Sequence, residues 1–495
     1  MFESAELGHQ IDRDTYREEE AKLRQALLAA QFELKQRGDF PVIIVLAGMP
    51  AAGKGEVANL LLEWLDPRHI TTLAFDAPSD EEADRPPFWR FWRALPAKGS
   101  LGVLFGAWYA DPLWHWDHDS EAAVSRRVER IVRLEKMLTD DGALVLKFWL
   151  HLSRDRLKKR LKALQDDALT AWRVSKEDKQ FLKDYDAHAA HAETLLTRTS
   201  LADSPWRIVE GWDANYRALS VGRQLLDAIE HHLARDSVKQ RRVEAGPLLP
   251  SVDGVRLLDT LQLDSDLGKV EYRERLERLQ GRLNGLTREP GFAKLAVVAV
   301  FEGMDAAGKG GAIRRITAAL DARRYRVVPI AAPTDEERAQ PYLWRFWRHV
   351  PRRGHLTVFD RSWYGRVLVE RIEGFASQAE WMRAYGEIND FEAQLDDAGV
   401  IVVKYWLAIS GEEQLTRFQS REATEYKRFK ITEEDWRNRD KWDDYVTAAS
   451  DMVERTSTAM APWHLIGANN KYHARVRVLE ILCDAIETRL KRKEK

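Results

Sequence analysis

"LAVVAVFEGMDAAGKGG", residues 295–311, is an unbroken apolar run that passes through glycines into a small-residue turn ending in a lysine. A run of this kind, β-branched and without alternation, is how a strand buried on both faces of a parallel sheet reads. The run leads into G-x-x-x-x-G-K and then the helical "GAIRRITAAL", which together supply the context of a phosphate-binding loop. Glycines let successive backbone N–H groups converge on phosphate oxygens, the helix start adds partial positive charge, and the lysine reaches a terminal phosphate. Those roles fall to Gly303, Gly308, Lys309 and Gly310. The competing reading, a glycine turn without a ligand, leaves the lysine unexplained.

The loop departs from the usual pattern in two ways. After the lysine a Ser or Thr hydroxyl is expected to hold Mg²⁺, and Gly310 stands there instead. Inside the loop sits Asp305, a carboxylate that would repel phosphate unless a metal or a proton transfer uses it. Asp305 is therefore a candidate metal ligand or general base, the alternative being an acid placed to complement the helix dipole.

The loop has a twin upstream, "GMPAAGKGE", residues 48–56. A shift of 255 residues carries Lys54 to Lys309, Pro78 to Pro333, Trp89 to Trp344 and Tyr109 to Tyr364. Further along, a shift of 257 matches "KFWLHLS" from Lys147 with "KYWLAIS" from Lys404, and Trp206 with Trp463. Such a long period is a duplicated domain, not a solenoid. The stretch "RDSVKQRRVEAGPLLPSVDGV" reads as a linker, which places one domain at residues 1–245 and a second at 246–495, with the boundary near Gly246. In each copy apolar runs such as "PVIIVLAG", "LTVFD" and "VIVVKYWLAI" alternate with helical stretches, so the expected fold is α/β, each copy a parallel sheet flanked by helices.

Two further segments of the second copy carry chemistry. "FDRSWYGR", residues 359–366, puts Asp360 at the carboxyl end of a buried strand, where α/β folds build their ligand crevice and where a Walker B acid holds Mg²⁺. Arg361 and Arg366 would then face phosphate, their fixed charge and bidentate geometry suiting that ligand. "REATEYKRFKITEEDW", residues 421–436, gathers Arg421, Lys427, Arg428 and Lys430 where small-molecule kinases place a lid, although a solvated charged helix face would read the same way.

Bulk composition narrows the setting. A net charge of -2 gives no global attraction to nucleic acid, and no stretch approaches the roughly 18 apolar residues of a membrane span. The single cysteine, Cys483, excludes a disulfide framework; with no basic, apolar leader at the start, the expectation is cytoplasmic. Among the 18 tryptophans, clusters such as "FWRFWR" and "LWRFWR" read as helix core with Trp facing in.

Taken together, "GMDAAGKGG", "FDRSWYGR", "PTDEER", "LWRFW" and "KRFKITEEDWRNRDKWDDY" resemble the polyphosphate kinase 2 family over nearly all of residues 290–490, and the tandem copies resemble its AMP-phosphorylating class. The resemblance implies tandem P-loop kinase domains related to thymidylate kinase, each with a helical lid. It also implies Mg²⁺ dependence, transfer of a terminal phosphoryl group from inorganic polyphosphate to AMP giving ADP, and a homo-oligomer such as a dimer. It further implies a catalytic set of Asp305, Lys309, Asp360 and Arg361 beside the lid bases, with Asp305 and Asp360 as the carboxylates left to hold metal. At the matching positions the first copy has Pro50, Phe105 and Gly106 for Asp305, Asp360 and Arg361, Asp111 for Arg366, and Leu164, Thr170 and Ala171 for Arg421, Lys427 and Arg428; only Arg173 stands opposite Lys430. The first copy is accordingly expected to be catalytically silent. The other readings are an ATP-dependent nucleoside monophosphate kinase, which the missing hydroxyl and basic lid disfavour, and a nucleotide- or polyphosphate-binding scaffold without turnover.

Overall fold

The computed structural model describes residues 1–110, 113, 120–234, 253–425, 431 and 433–492. The boundary expected at Gly246 lies outside the described residues. By contacts the chain forms two compact units, the first comprising Met1–Pro78, Arg90–Gln240 and Thr334–Pro341, the second Ser79–Trp89, Arg241–Pro333 and Tyr342–Lys495.

The first unit holds strands β1 (Val42–Gly48), β2 (Ile70–Ala74), β3 (Leu101–Phe105), β4 (Leu144–His151) and β5 (Trp206–Glu210), in the spatial order β2-β3-β1-β4-β5. The second repeats the arrangement with β6 (Ala296–Gly303), β7 (Tyr325–Pro329), β8 (Leu356–Asp360), β9 (Val400–Ala408) and β10 (Trp463–Gly467), in the order β7-β8-β6-β9-β10. Every pairing is parallel. The helices used below are α1 (Lys54–Trp64), α2 (Glu121–Asp140), α3 (Lys309–Thr317), α4 (Gln378–Asp397), α5 (Gly411–Glu422), α6 (Glu433–Asp440), α7 (Trp442–Thr456) and α8 (Lys471–Arg492). Among the described residues no helix is long and apolar enough to cross a membrane.

The apolar runs take the places their composition requires. β1 is buried along its whole length, β6 until its final glycine, and β9 at all nine positions, because each lies between two neighbouring strands and under helices. The edge strands β7 and β10 are partly exposed and mix polar with apolar residues, which is why they carry no comparable signal in the sequence. Trp89, Trp92, Trp344 and Trp347 are buried, as the helix-core reading of the tryptophan clusters requires.

One polar cluster is built identically in both units. In the second, the Lys404 ammonium on β9 donates to Glu392 of α4 at 2.7 Å, to the Tyr364 hydroxyl at 2.9 Å and to the Thr456 carbonyl at 2.7 Å. Tyr364 and the Trp363 indole donate to the other Glu392 oxygen at 2.6 and 3.1 Å. In the first, Lys147 bonds Glu135 of α2 at 2.6 Å, Tyr109 at 3.2 Å and the Thr199 carbonyl at 2.6 Å, with Tyr109 and Trp108 on the same carboxylate. Burial pushes the Lys404 ammonium down and the Glu392 carboxyl up, and each charge opposes the shift of the other. A group present in both copies, wholly inside, belongs to the fold. Lys404→Met should therefore lower the stability of the second unit by about 3–5 kcal/mol in chemical unfolding, because it leaves Glu392 in the core without its counter-charge. The double variant Lys404→Met/Glu392→Leu should recover part of that loss; equal destabilisation by the single and double variants would contradict the ion-pair account.

Candidate active site

β6 delivers the loop and α3 receives it. At Gly303 the backbone turns with φ 141°, and a Cβ there would stand 2.3 Å from the Leu407 carbonyl oxygen of β9, so only glycine fits. Ala306 and Gly308 continue the loop with φ 64° and 109°, and Gly308 caps α3. Gly310 is different, since a Cβ there would meet nothing within 4 Å. Space does not explain the missing hydroxyl. The Lys309 ammonium folds back onto the Gly303 and Met304 carbonyls at 2.6 and 3.3 Å, encircled by the loop it would share with a phosphate.

Asp305 faces inward. One carboxylate oxygen receives Arg361 at 3.1 Å and the other receives the Asn438 amide of α6 at 2.8 Å. Gln414 of α5 donates to the Asp305 carbonyl at 3.1 Å, and Arg417 holds the Ala306 carbonyl at 2.9 Å. Burial opposes ionisation of Asp305, but Lys309, Arg361 and the two hydrogen bonds outweigh it and hold its carboxyl below the usual range. Burial likewise pushes the Lys309 ammonium down, with Asp305, Glu302 and Asp360 acting to keep it charged.

Asp360 lies at the carboxyl end of β8, in register with Phe301 of β6, so strand pairing brings it to the same edge as the loop. Arg361 comes next with φ 63°, a left-handed conformation unusual for a residue with a side chain, and reaches Asp305 from there. A cavity of about 60 Å³ opens among Glu302, Asp305, Arg361 and Asn438, walled by Trp406, Trp442 and Tyr445. It is polar on one side and has room for several waters. Asp305 and Glu302 offer carboxylate oxygens to this cavity, the donor type that suits a hard divalent cation, while Asp360 does not line it and lies within electrostatic reach of Glu302 and Lys309. Among the described residues no group of three or more His, Cys, Asp or Glu is already poised around a common metal position.

Several expected residues are placed elsewhere. Arg366 is paired with Glu370 at 2.8 Å and lies 4.4 Å over the Tyr342 ring, and it does not line the cavity. Arg421 lies in the last turn of α5, half-buried, within electrostatic reach of Asp435 and Asp305. Lys427, Arg428 and Lys430 lie outside the described residues.

The residues that the motifs did not single out are Glu302, Ser362, Gln414, Arg417 and Asn438. Glu302 is 5% exposed, accepts from the Ser362 hydroxyl at 2.8 Å, and has its carboxyl pushed up by burial against the pull of Lys309. An acid closing an otherwise apolar strand was the available signal. At the matching positions the first copy keeps only the arginine. Ala47, Ala107, Leu157 and Phe181 stand at the positions of Glu302, Ser362, Gln414 and Asn438, while Arg160 matches Arg417 and holds the Ala51 carbonyl at 3.3 Å.

The first loop itself survives. Gly48 turns with φ 144° against the Leu150 carbonyl, and Lys54 bonds the Gly48 and Met49 carbonyls, both at 2.8 Å. Its charge does not survive as well, because burial pushes the Lys54 ammonium down to about 8 with only Asp178 to oppose it. At Arg361's position stands Gly106, with φ 64°. The same left-handed turn is kept by glycine where no guanidinium has to be aimed. Arg361→Gly and Arg361→Ala remove the same guanidinium, but only alanine keeps a side chain in the left-handed turn. The glycine variant should be the more stable by about 1 kcal/mol in chemical unfolding, and equal stabilities would show that the turn is unstrained.

Comparison with known proteins agrees with the duplication. The family model described as polyphosphate kinase 2 matches twice, over residues 10–237 and 266–494. A polyphosphate:AMP phosphotransferase of Pseudomonas aeruginosa is 57% identical over 99% of this chain and 100% of its own, and one of Pseudomonas syringae pv. tomato is 53% identical over 100% of both. A crystal structure described as a polyphosphate kinase 2 from Pseudomonas aeruginosa superposes with a TM-score of 0.90, at 55% identity and 99% coverage of each chain.

Proposed function

The chain belongs to the polyphosphate kinase 2 family, and from that premise we propose that it transfers the terminal phosphoryl group of inorganic polyphosphate to AMP, giving ADP, in the second copy alone. One observation carries the assignment to that copy. The carboxylates, amides and guanidinium gathered around the loop, those of Glu302, Asp305, Asp360, Gln414, Asn438 and Arg361, are all absent from the first copy, although its loop and core cluster are intact. The names carried by relatives of the same length and tandem build support the choice of AMP and polyphosphate.

The residues divide the work by charge and position. Backbone N–H groups between Gly303 and Lys309 cradle phosphate oxygens at the start of α3, and the Lys309 ammonium leaves the loop carbonyls to meet the phosphate. Arg361, held beside the loop by Asp305, presents a fixed positive charge to the transferred group. Arg421 and the basic segment after it, including Lys427, Arg428 and Lys430, suit a polyanionic donor. Asp305 and Asp360 are the residues that would hold Mg²⁺, which in the absence of a loop hydroxyl supplies charge neutralisation across the phosphates. Aligned in this way, phosphoryl transfer needs little covalent help from the protein. A lone buried cysteine suits a reducing cytoplasm, and assembly as a homodimer completes the reading.

Incubation of AMP with either polyphosphate or ATP in Mg²⁺, followed by product chromatography, tests this reading. ADP should form with polyphosphate and disappear on chelation; ADP from ATP alone would replace the reading with an ordinary monophosphate kinase, and no product from either donor would favour a scaffold. Asp360→Asn should lower turnover roughly 100-fold or more with the fold intact, whereas Asp111→Arg in the first copy should change little.

A further inference from the structure

The second unit carries a groove that the phosphate loop does not use. It runs along the edge strand β10, between that strand, the segment 261–265 and α8, and encloses about 380 Å³. None of its lining is shared with the cavity at Asp305. Small-molecule sites span roughly 300 to 1,000 Å³, with apolar walls and a few convergent polar groups. Here Leu261 and Ile481 give the apolar wall. The side chains of His464, His473 and Gln262 line the same space without a hydrogen bond to any described residue.

Charge in the groove favours an anion. Arg477 bonds Glu480 through one nitrogen at 2.9 Å, which leaves most of its donors open. Glu480 is shared with Arg275 at 2.7 Å, so one carboxylate answers two guanidinium groups. The acids on the neighbouring segment, Asp264 and Asp266, are engaged by Asn469 and Asn470. Burial, and after it the Arg477 charge, pushes both His464 and His473 down, as expected of bases crowded by a cation.

In the first unit the corresponding residues are engaged by the segment before its first long helix. Glu210 stands at the position of Gly467 and accepts from the backbone N–H groups of Gly8 and His9, both at 3.1 Å. Tyr216 stands at the position of His473 and stacks on His9 at 4.5 Å, and Ser220 replaces Arg477. The histidine and the arginine that line the groove are therefore found only in the unit that holds the acids. The groove also touches the loop by a short path: Gly467 leads into Ala468 and Asn469, whose carbonyls hold Arg417 at 2.7 and 2.9 Å, and Arg417 holds Ala306.

We propose that this groove is a second nucleotide site, which takes a nucleoside mono- or diphosphate with its phosphate on Arg477 and His473 and its base against Leu261 and Ile481. The test is equilibrium dialysis of labelled AMP against the full chain, wild type and the variant Arg477→Ser/His473→Tyr, which installs the residues of the first unit. The variant should bind one AMP fewer per chain and keep its turnover within about twofold, a difference read whatever the phosphate-loop site binds. Unchanged stoichiometry would overturn the proposal, and so would displacement of that AMP by equimolar inorganic phosphate, which would make the groove a simple anion site. A second measurement needs no variant: AMP should protect His473 of the wild-type protein from diethylpyrocarbonate, read by peptide mass, and absence of protection counts against the site.

Discussion

At Gly303 the chain leaves β6 with the Leu407 oxygen standing where a side chain would begin, and its own carbonyl receives the Lys309 ammonium at 2.6 Å. This contact ties the end of the central strand, the neighbouring strand and the first residue of α3 into one unit. The loop can adopt its left-handed residues because both of its ends are fixed by buried secondary structure. Gly48, Leu150 and Lys54 repeat the arrangement in the first unit, with the same 2.3 Å approach. A phosphate cradle of this kind is thus a property of the fold, held whether or not any chemistry uses it.

What distinguishes the two units is the charge placed around that cradle. In the second, burial and, less strongly, the Arg361 charge lower the Lys309 ammonium while three acids oppose that shift, and Arg361 and Asn438 satisfy Asp305. In the first, alanine, proline and phenylalanine occupy the acid positions, and Lys54 loses part of the support for its charge. Removing a buried acid along with its partners costs a fold little, since no unpaired charge remains. Removing one member of the Lys147 cluster would strand the rest, which is why that cluster is intact in both units. The pattern of loss tracks the energetic penalty, not the distance from the loop.

Much of this is legible in the residues alone. The duplication, the buried central strands, the loop and the position of Asp360 at a strand end derive from apolar runs and glycine spacing, because those are local features. Asp305 could be singled out as unusual, but its partners Asn438 and Gln414 come from helices more than a hundred residues away and carry no local signature. Arg366 shows the converse, since its place beside Asp360 suggested phosphate while Tyr342 and Glu370 take its guanidinium. The edge strands were invisible for a physical reason, being short and only half covered. Glu302 was hidden inside an apolar run, and Ala47 and Ala107 replace it and its partner Ser362 in the first unit.

The division of labour between the two units is tested most directly by removing the same lysine from each. Lys309→Met and Lys54→Met delete matching side chains from matching loops, so differences in folding largely cancel. With AMP and polyphosphate as substrates, the account predicts that ADP formation falls roughly 100-fold or more for Lys309→Met and stays within about twofold for Lys54→Met. Comparable losses in the two variants would contradict it.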